Sequence, residues 1–385
     1  MLNTDILDKG YKFLEKHSYS ELLYNSIDVR QSSFKTVPVD NNIFPAGFNN
    51  LAVESLVAFG KYLEVYVREN NIKTVLIVTE DHTRNVGYLK NVKVLFDVIT
   101  KVGLDVNIAT LTLDAHDAEI NGGNFEIHKL EIIDNKVGVQ NMPKPDLIIL
   151  NNDLSSETHT SIILQTMFEM NNILPLPKMG WNNRKKSLHF KAYQDLAVQF
   201  ADYAGFDPWF INAEFTTAQC LDFTNKTELQ NLADATSDVF KKIKQKYKEY
   251  SIIQEPAVFL KSESGTYGLG VEKVSNPKDL LNPNRTFRKK ILYNKSKVLN
   301  TEFLLQEAVP TEITHSGGTA ECTIYTTLGK AFGGFYRIHK EKHSMDNLNS
   351  KGAEFSPLEI TKAQEPSYLN FIAMLSTVAV SMEEF

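Results

Sequence analysis

The stretch Val258-Phe-Leu-Lys261-Ser-Glu-Ser-Gly265-Thr-Tyr-Gly268-Leu-Gly270-Val271 decides how the chain is read. An apolar run from Ala257 to Leu260 delivers one lysine, Lys261, and Gly265, Gly268 and Gly270 follow at once. Val271 and Val274 then resume an extended pattern. The order is strand, tight loop, strand. Glycine admits positive φ and carries no Cβ, so successive backbone N–H groups can close on an anion. A lysine ending the preceding strand adds a point charge to the same phosphates. The loop has neither the Gly-Lys-Ser/Thr of a Walker A motif nor the Gly-x-Gly-x-x-Gly of a dinucleotide site. Glycines also mark ordinary hairpins in sheet proteins, so the surrounding sequence must decide.

At 385 residues the chain suits two or three domains. A net charge of −6 supplies no basic field for nucleic acid or anionic lipid, so the expected partners are small molecules. Cys220 and Cys322 lie far apart in no ligand-like spacing, which predicts a reducing compartment, no disulfide and no zinc. The first residues lack a basic stretch followed by an apolar core, and the apolar run from Leu369 to Val380 is interrupted and too short for a bilayer. A cytoplasmic location is expected. Oligomeric state is not legible.

Apolar periodicity predicts a helix over 4–15, then a hairpin of Ser26–Arg30 and Phe34–Val39 around Gln31–Ser33. Helices are expected at 51–69, 86–102 and 158–169, with strands at 74–79, 106–111 and 146–150. This alternation implies a parallel, Rossmann-like sheet whose ligands sit at strand carboxyl ends, here the loops 80–85 and 151–153. Residues 124–140 alternate like one hairpin turning at Asp134-Asn135. Helices follow at 192–203 and 227–250, with Pro208–Phe215 extended between them. A strand at 303–310, a hairpin of 320–326 and 331–338, a polar loop at 347–352 and a closing helix at 366–384 complete the pattern.

The C-terminal half thus orders a strand, Lys261, a glycine loop, Gln306-Glu307-Ala-Val309, a hairpin ending in Tyr336-Arg337, and Asn347-Leu-Asn349. This resembles the ATP-grasp superfamily of carboxylate–amine ligases. It is closer still to the proteobacterial-type glutamate–cysteine ligases. That resemblance rests on Pro38-Val-Asp40-x-Asn42-x-Phe-Pro-Ala-Gly47, Glu80-x-His82-Thr-Arg84-Asn85, Asn151-Asn-Asp153, and Gly180-Trp181 with Arg184, Lys186 and His189. Phe259-Leu-Lys261 with Gly265-Thr-Tyr-Gly268, and Gly333-Gly-Phe-Tyr-Arg337-Ile-His339, extend it over most of the chain.

The resemblance implies ATP- and Mg²⁺-dependent synthesis of γ-glutamylcysteine through γ-glutamyl phosphate, the first step toward glutathione. Carboxylates are poor electrophiles, so phosphorylation must precede attack by an amine. That chemistry needs cations and positioning more than a nucleophilic side chain. Lys261 and Arg337 are the expected catalytic residues. The nucleotide is expected on Lys186, Lys261, Gly265, Thr266, Tyr267, Gly268, Gln306, Glu307 and Val309, and the amino acids on Glu80, His82, Arg84, Asn151, Asp153, Arg184 and Asn349. Glutamate and cysteine come from the resemblance alone. Another amino-acid or peptide ligase on this scaffold, and a non-catalytic nucleotide-binding module, remain open.

The metal carboxylates of that superfamily lie near the end of its domain, but here no such hairpin follows Asn349. The pattern stands at the other terminus, as a strand bearing Asp28 and a strand ending Asp40-x-Asn42-x-x-Pro45-x-Gly47. A circularly permuted ATP-grasp domain is therefore expected, with Asp40, Asn42 and, less well placed in the hairpin, Asp28 as Mg²⁺ ligands. The expected units are 1–47 completing the nucleotide-binding sheet, 48–180 as the Rossmann-like substrate domain, and 181–385 as the ATP-grasp domain.

Overall fold

The computed structural model describes residues 2–384 except 18, 20–21, 82–84, 114–115, 121–122, 156–160, 182, 265–269, 293–298 and 359–366. Helix α1 (Thr4–Leu14) starts where Asn3 Oδ1 accepts the Ile6 N–H, and it buries Ile6, Leu7, Phe13 and Leu14. Strands β1 (Tyr24–Gln31) and β2 (Thr36–Asn42) form the expected antiparallel hairpin.

The following segment runs α2 (Val53–Glu69), β3 (Thr74–Thr79), α3 (Val86–Lys101), β4 (Asp105–Thr110), β5 (His116–Ile120), β6 (Gly123–Lys129), β7 (Glu131–Ile133), β8 (Lys136–Gly138), β9 (Leu147–Asn151), α4 (Ile162–Phe168) and β10 (Ile173–Leu174). Strands β10, β9, β3, β4 and β6 pair in that order and in parallel, and β5 closes the sheet antiparallel to β6. Both faces of β3 are covered. Val75 and Ile77 pack with α2 and α3, while Leu76 and Val78 pack with Leu164 and Met167 of α4. A strand buried on both faces needs an unbroken apolar run, which is why 74–79 is legible. The hairpin expected over 124–140 is confined to its second half. β6 joins the main sheet, and only β7–β8 turn at Asp134-Asn135, both at positive φ.

The chain continues through α5 (Lys186–Ala204), β11 (Phe215–Gln219), α6 (Lys226–Glu249), β12 (Val258–Ser262), β13 (Val271–Val274), α7 (Arg285–Leu292) and β14 (Glu302–Glu307). These strands form an antiparallel sheet in the order β11-β14-β12-β13, with α6 over one face. Two expectations are corrected. Pro208–Phe210 is a 3₁₀ turn capped by Asp207, because proline fits a first helical position and the aspartate accepts the Trp209 N–H. Helix α5 starts at Lys186 and not at 192, so Lys186 and His189 belong to its first turn and the one after.

The last elements are β15 (Thr314–His315), β16 (Gly318–Thr327), β17 (Lys330–His339), β18 (Glu354–Pro357) and α8 (Tyr368–Val380). Their sheet is ordered β18-β17-β16-β1-β2, with β15 paired to β16. The N-terminal hairpin thus completes the C-terminal sheet, with Asp28 opposite Thr323 and Val29 opposite Cys322. Helix α8 is apolar because it is enclosed by α1, α5 and this sheet. Among the described residues no helix is long and apolar enough to cross a membrane.

Buried ion pairs lock the chain ends to the middle. Arg184 donates to both Glu383 oxygens, at 2.8 and 2.7 Å, and His189 Nδ1 lies 2.7 Å from the same carboxylate. Burial alone would raise the Glu383 pKa, but Arg184 and His189 hold it down at about 2. A carboxyl depressed on folding contributes stability above its unfolded pKa, here the ordinary 4.5, and loses it as pH falls toward about 2. Glu383→Gln should cost about 3 kcal/mol at neutral pH by leaving Arg184 unpaired. Its urea midpoint should also fall less steeply than that of the wild type from pH 5 to 3. Parallel pH profiles would show that the pair contributes nothing.

Candidate active site

Two cavities meet at Arg337 and Asn349, which line both. The first lies between the two antiparallel sheets. Val39 and Asp40 of β2, Lys186 of α5, and Phe259 and Lys261 of β12 face it. Lys261 Nζ donates to Val39 O and to Gln306 Oε1, each at 2.7 Å. Burial pushes its pKa down to about 8, so it keeps its proton at neutral pH. Lys186 Nζ donates to Asp40 Oδ1 at 2.9 Å and sits 4.3 Å from the Trp181 ring centroid. Burial would raise the Asp40 pKa, yet Lys186 and Lys261 hold it below the usual carboxylate range.

On the floor of this cavity lies a chain of four buried charges. Arg337 Nη1 donates to Asp28 at 2.8 Å and Glu321 at 2.6 Å, and its Nη2 donates to Asp28 at 3.2 Å. Arg30 Nε donates to the other Glu321 oxygen at 2.8 Å. The sheet register creates this array. Glu321 is opposite Arg337, Asp28 is opposite Thr323 on the same strand as Glu321, and Asp28 is also opposite Asp40. Counting from the turn would put Asp28 out of step with Asp40, but an irregularity between Asp28 and Val29 restores their pairing. Burial raises the Asp28 pKa, Arg337 pulls against it, and Glu321 and Asp40 push it further up. Among the described residues Arg337 Nε is buried without a hydrogen-bond partner. An orphaned buried donor of this kind costs about 1–3 kcal/mol.

The second cavity, of about 430 Å³, lies between this sheet and the carboxyl ends of the parallel strands. Its polar lining includes Asn42 at the end of β2, Asn49 and Asn50 beyond it, Asn85 and Gly87 at the start of α3, and Asp153 after β9. Trp181, Tyr325, Phe335 and Phe355 give it an aromatic wall.

The fold therefore brings Lys186, Lys261, Asp28, Asp40, Arg337 and Asn349 onto the first cavity, and Asn42 and Asp153 onto the second with Arg337 and Asn349. Among the described residues Gln306 reaches the first cavity through Lys261, and its Nε2 has no partner. Glu307 points the other way, into a buried 2.8 Å pair with Lys35, because neighbouring strand residues face opposite sides. Val309 offers its carbonyl to Arg30. Arg184 is turned from both cavities, with Nη1 donating to Asn41 O and the rest of the fork on Glu383. Asn151 is also inward, bonded to Tyr24, Tyr88 and Pro45 O at the junction of the sheets. Glu80 is buried where its N–H donates to the Tyr88 hydroxyl. His82, Arg84, Gly265, Thr266, Tyr267 and Gly268 lie outside the described residues.

Sequence reasoning missed Arg30, Glu321, Asn347 and the aromatic wall. Asn347 and Trp181 stand inside motifs of the resemblance, while Arg30 and Glu321 are single charges within strands.

A family model described as glutamate-cysteine ligase matches residues 10–378. A crystal structure of a "putative gamma-glutamylcysteine synthetase" from Methylobacillus flagellatus KT shares 30% identity with a TM-score of 0.85, covering 98% of this chain and 92% of that one. D-alanyl-alanine synthetase A from Vibrio cholerae, at 12% identity and TM-score 0.33, covers 77% of this chain and 78% of its own. That likeness is too slight to bear on the fold. No curated protein matches the chain. The family match over most of the chain and the 30% identical structure agree: the chain belongs to the glutamate–cysteine ligase family.

Proposed function

We propose that the chain forms γ-glutamylcysteine from L-glutamate, L-cysteine and ATP, with the first cavity as the nucleotide site and the second as the amino-acid site. The observation that carries the residue assignment is the sharing of Arg337 and Asn349 by the two cavities. A γ-carboxylate oxygen attacks the terminal phosphorus of ATP and ADP leaves. The cysteine amine then attacks the acyl carbon, phosphate leaves, and the amine gives up a proton. Both steps need reactants held in line and negative charge neutralised, with no side-chain nucleophile. Cys220 and Cys322 fit that absence, since burial pushes both thiols up to about 12.

Lys261 and Lys186 bring positive charge to the phosphates, and Lys261 is also fixed in place by Gln306. Arg337 lines both cavities where the transferring group would pass, and Asp28 and Glu321 hold its guanidinium rigid. The donor set fits a divalent ion. Among the described residues no group of three or more His, Cys, Asp or Glu side chains could hold a metal. Asp40 and Asn42, with Asp28 beside them, would instead supply a few hard oxygens that substrate phosphates and water complete, as Mg²⁺ prefers. Bound there, Mg²⁺ would neutralise phosphate charge.

The assay is ADP release over a panel of amino-acid pairs. Turnover should require glutamate with cysteine, and ADP release independent of amino acids, or preference for another pair, overturns the assignment. Lys261→Met should lower kcat/KM for ATP by about 10²–10³, and its urea midpoint should fall modestly because Val39 O and Gln306 Oε1 lose a buried donor. Unchanged ATP kinetics would remove Lys261 from the site. Asp40→Asn should raise the Mg²⁺ concentration for half-maximal activity at least about tenfold, since second partners of a metal commonly cost that much and a ligand costs more. An unaltered Mg²⁺ titration would place the metal elsewhere.

A further inference from the structure

We infer that the second cavity holds glutamate in one orientation, its α-amino-acid group against the parallel sheet and its γ-carboxylate at Arg337, and that this geometry selects the γ- over the α-carboxylate for activation. This rests on the ligase reading above. Three features at known places in the fold carry it.

The first is the start of α3, a 16-residue helix whose first turn opens on the cavity at Gly87. Asn85 Oδ1 accepts the Tyr88 N–H, and Gly87 has no side chain to cover the helix end. A Cβ at Gly87 would meet only Asn85 Oδ1, at 3.5 Å. Free N–H groups and the helix dipole make such an end attractive to a carboxylate. The second is Asp153, 4% exposed, which lines the same cavity. One of its oxygens accepts the Ser155 N–H at 2.9 Å, and no other partner of its carboxylate occurs among the described residues. A buried carboxylate with capacity to spare suits an ammonium group. Helix α3 follows β3 and Asp153 follows β9, and these strands pair with Thr79 opposite Asn151, so the two groups stand side by side. A carboxylate site next to an ammonium site is the complement of an α-amino acid.

The third feature is the other end of the cavity, where Arg337 lines the passage into the nucleotide site with its guanidinium fixed by Asp28 and Glu321. A ligand anchored by its α-group and carrying a further carboxylate would satisfy all three. Reversed, it would set its ammonium against Arg337 and leave Asp153 unpaired. Cysteine has no second carboxylate to offer Arg337. Glutamate does.

The test compares L-glutamate with glutarate, which lacks the ammonium, and 4-aminobutyrate, which lacks the α-carboxylate. Acyl phosphate is trapped as hydroxamate, so the result does not depend on cysteine. Asp153→Asn keeps the acceptor for Ser155. It should lower kcat/KM for glutamate roughly 30-fold or more, change that for glutarate less than about threefold, and leave the KM for ATP alone. Val86→Pro, which deletes one N–H of the first turn where proline is tolerated, should lower kcat/KM for glutamate a few-fold but not that for 4-aminobutyrate. Equal losses for glutamate and glutarate in Asp153→Asn would make Asp153 a structural residue and overturn the orientation alone. A wild type that forms neither hydroxamate nor γ-glutamylcysteine from glutamate would overturn the ligase reading and this inference with it.

Discussion

Four charges have been taken out of water together, and the C-terminal sheet depends on their staying paired. Arg30 and Arg337 share Glu321, and Arg337 also holds Asp28. All four side chains are at least nine-tenths buried, so removing any one strands a partner at a cost of about 3–5 kcal/mol. The pairs span 291 and 309 residues of sequence. Strand β1 therefore cannot leave β16 without exposing apolar core and unpairing charge at the same moment. Arg30 extends the constraint further, donating to Val309 O, Ser344 O and Asp346 O. That one guanidinium ties the end of the β14 segment and the loop before Asn347-Leu-Asn349 to the N-terminal hairpin.

The same logic explains why several candidate ligands proved to be scaffold. The segment between β2 and α2 must pass close under the parallel sheet. Its Gly47 and Phe48 N–H groups both donate to Asn91 Oδ1, and Asn151 donates to Pro45 O. A Cβ at Gly47 would come within 2.8 Å of the Tyr325 hydroxyl, so the approach itself requires glycine. Asn151 and Asn91 satisfy backbone groups that would otherwise be buried without partners. Their work is to seat the segment that carries Asn42, Asn49 and Asn50 into the second cavity.

The sequence made the parallel sheet, the glycine-loop strand and the N-terminal hairpin legible because each depends on local periodicity and turn chemistry. That Lys261, Asp40 and Arg337 line one cavity follows from the same kind of signal, charged residues at the ends of, or within, apolar strands. Arg184 and Asn151 misled because a polar residue at a strand end or domain junction has the same sequence signature whether it faces a ligand or a neighbouring backbone. Arg30 and Glu321 stayed hidden because their meaning is register. Only the pairing of β1 with β16 and of β16 with β17 sets them beside each other. The count across the first hairpin failed at Asp28 for a related reason, since one irregular position shifts every later partner.

Chain order and spatial order are therefore uncoupled in a way that bears on the site. The hairpin bearing Asp28, Asp40 and Asn42 is the first part of the chain, and the strands bearing Lys261, Glu321 and Arg337 lie more than two hundred residues later. The first cavity cannot exist until both have met. Between them the chain builds the parallel sheet, whose contacts are closer in sequence and carry a lower closure entropy. Asp40 meets its cations only when β2 is docked, as burial and the pull of Lys186 and Lys261 both require the assembled sheets. Lys261 is in the converse position, because its hydrogen bond to Val39 O ties the lysine of the glycine-loop strand to the hairpin. A site of mostly buried charges, each neutral only in company, is thus formed as a unit, and the residues that neutralise it are the ones that close the fold.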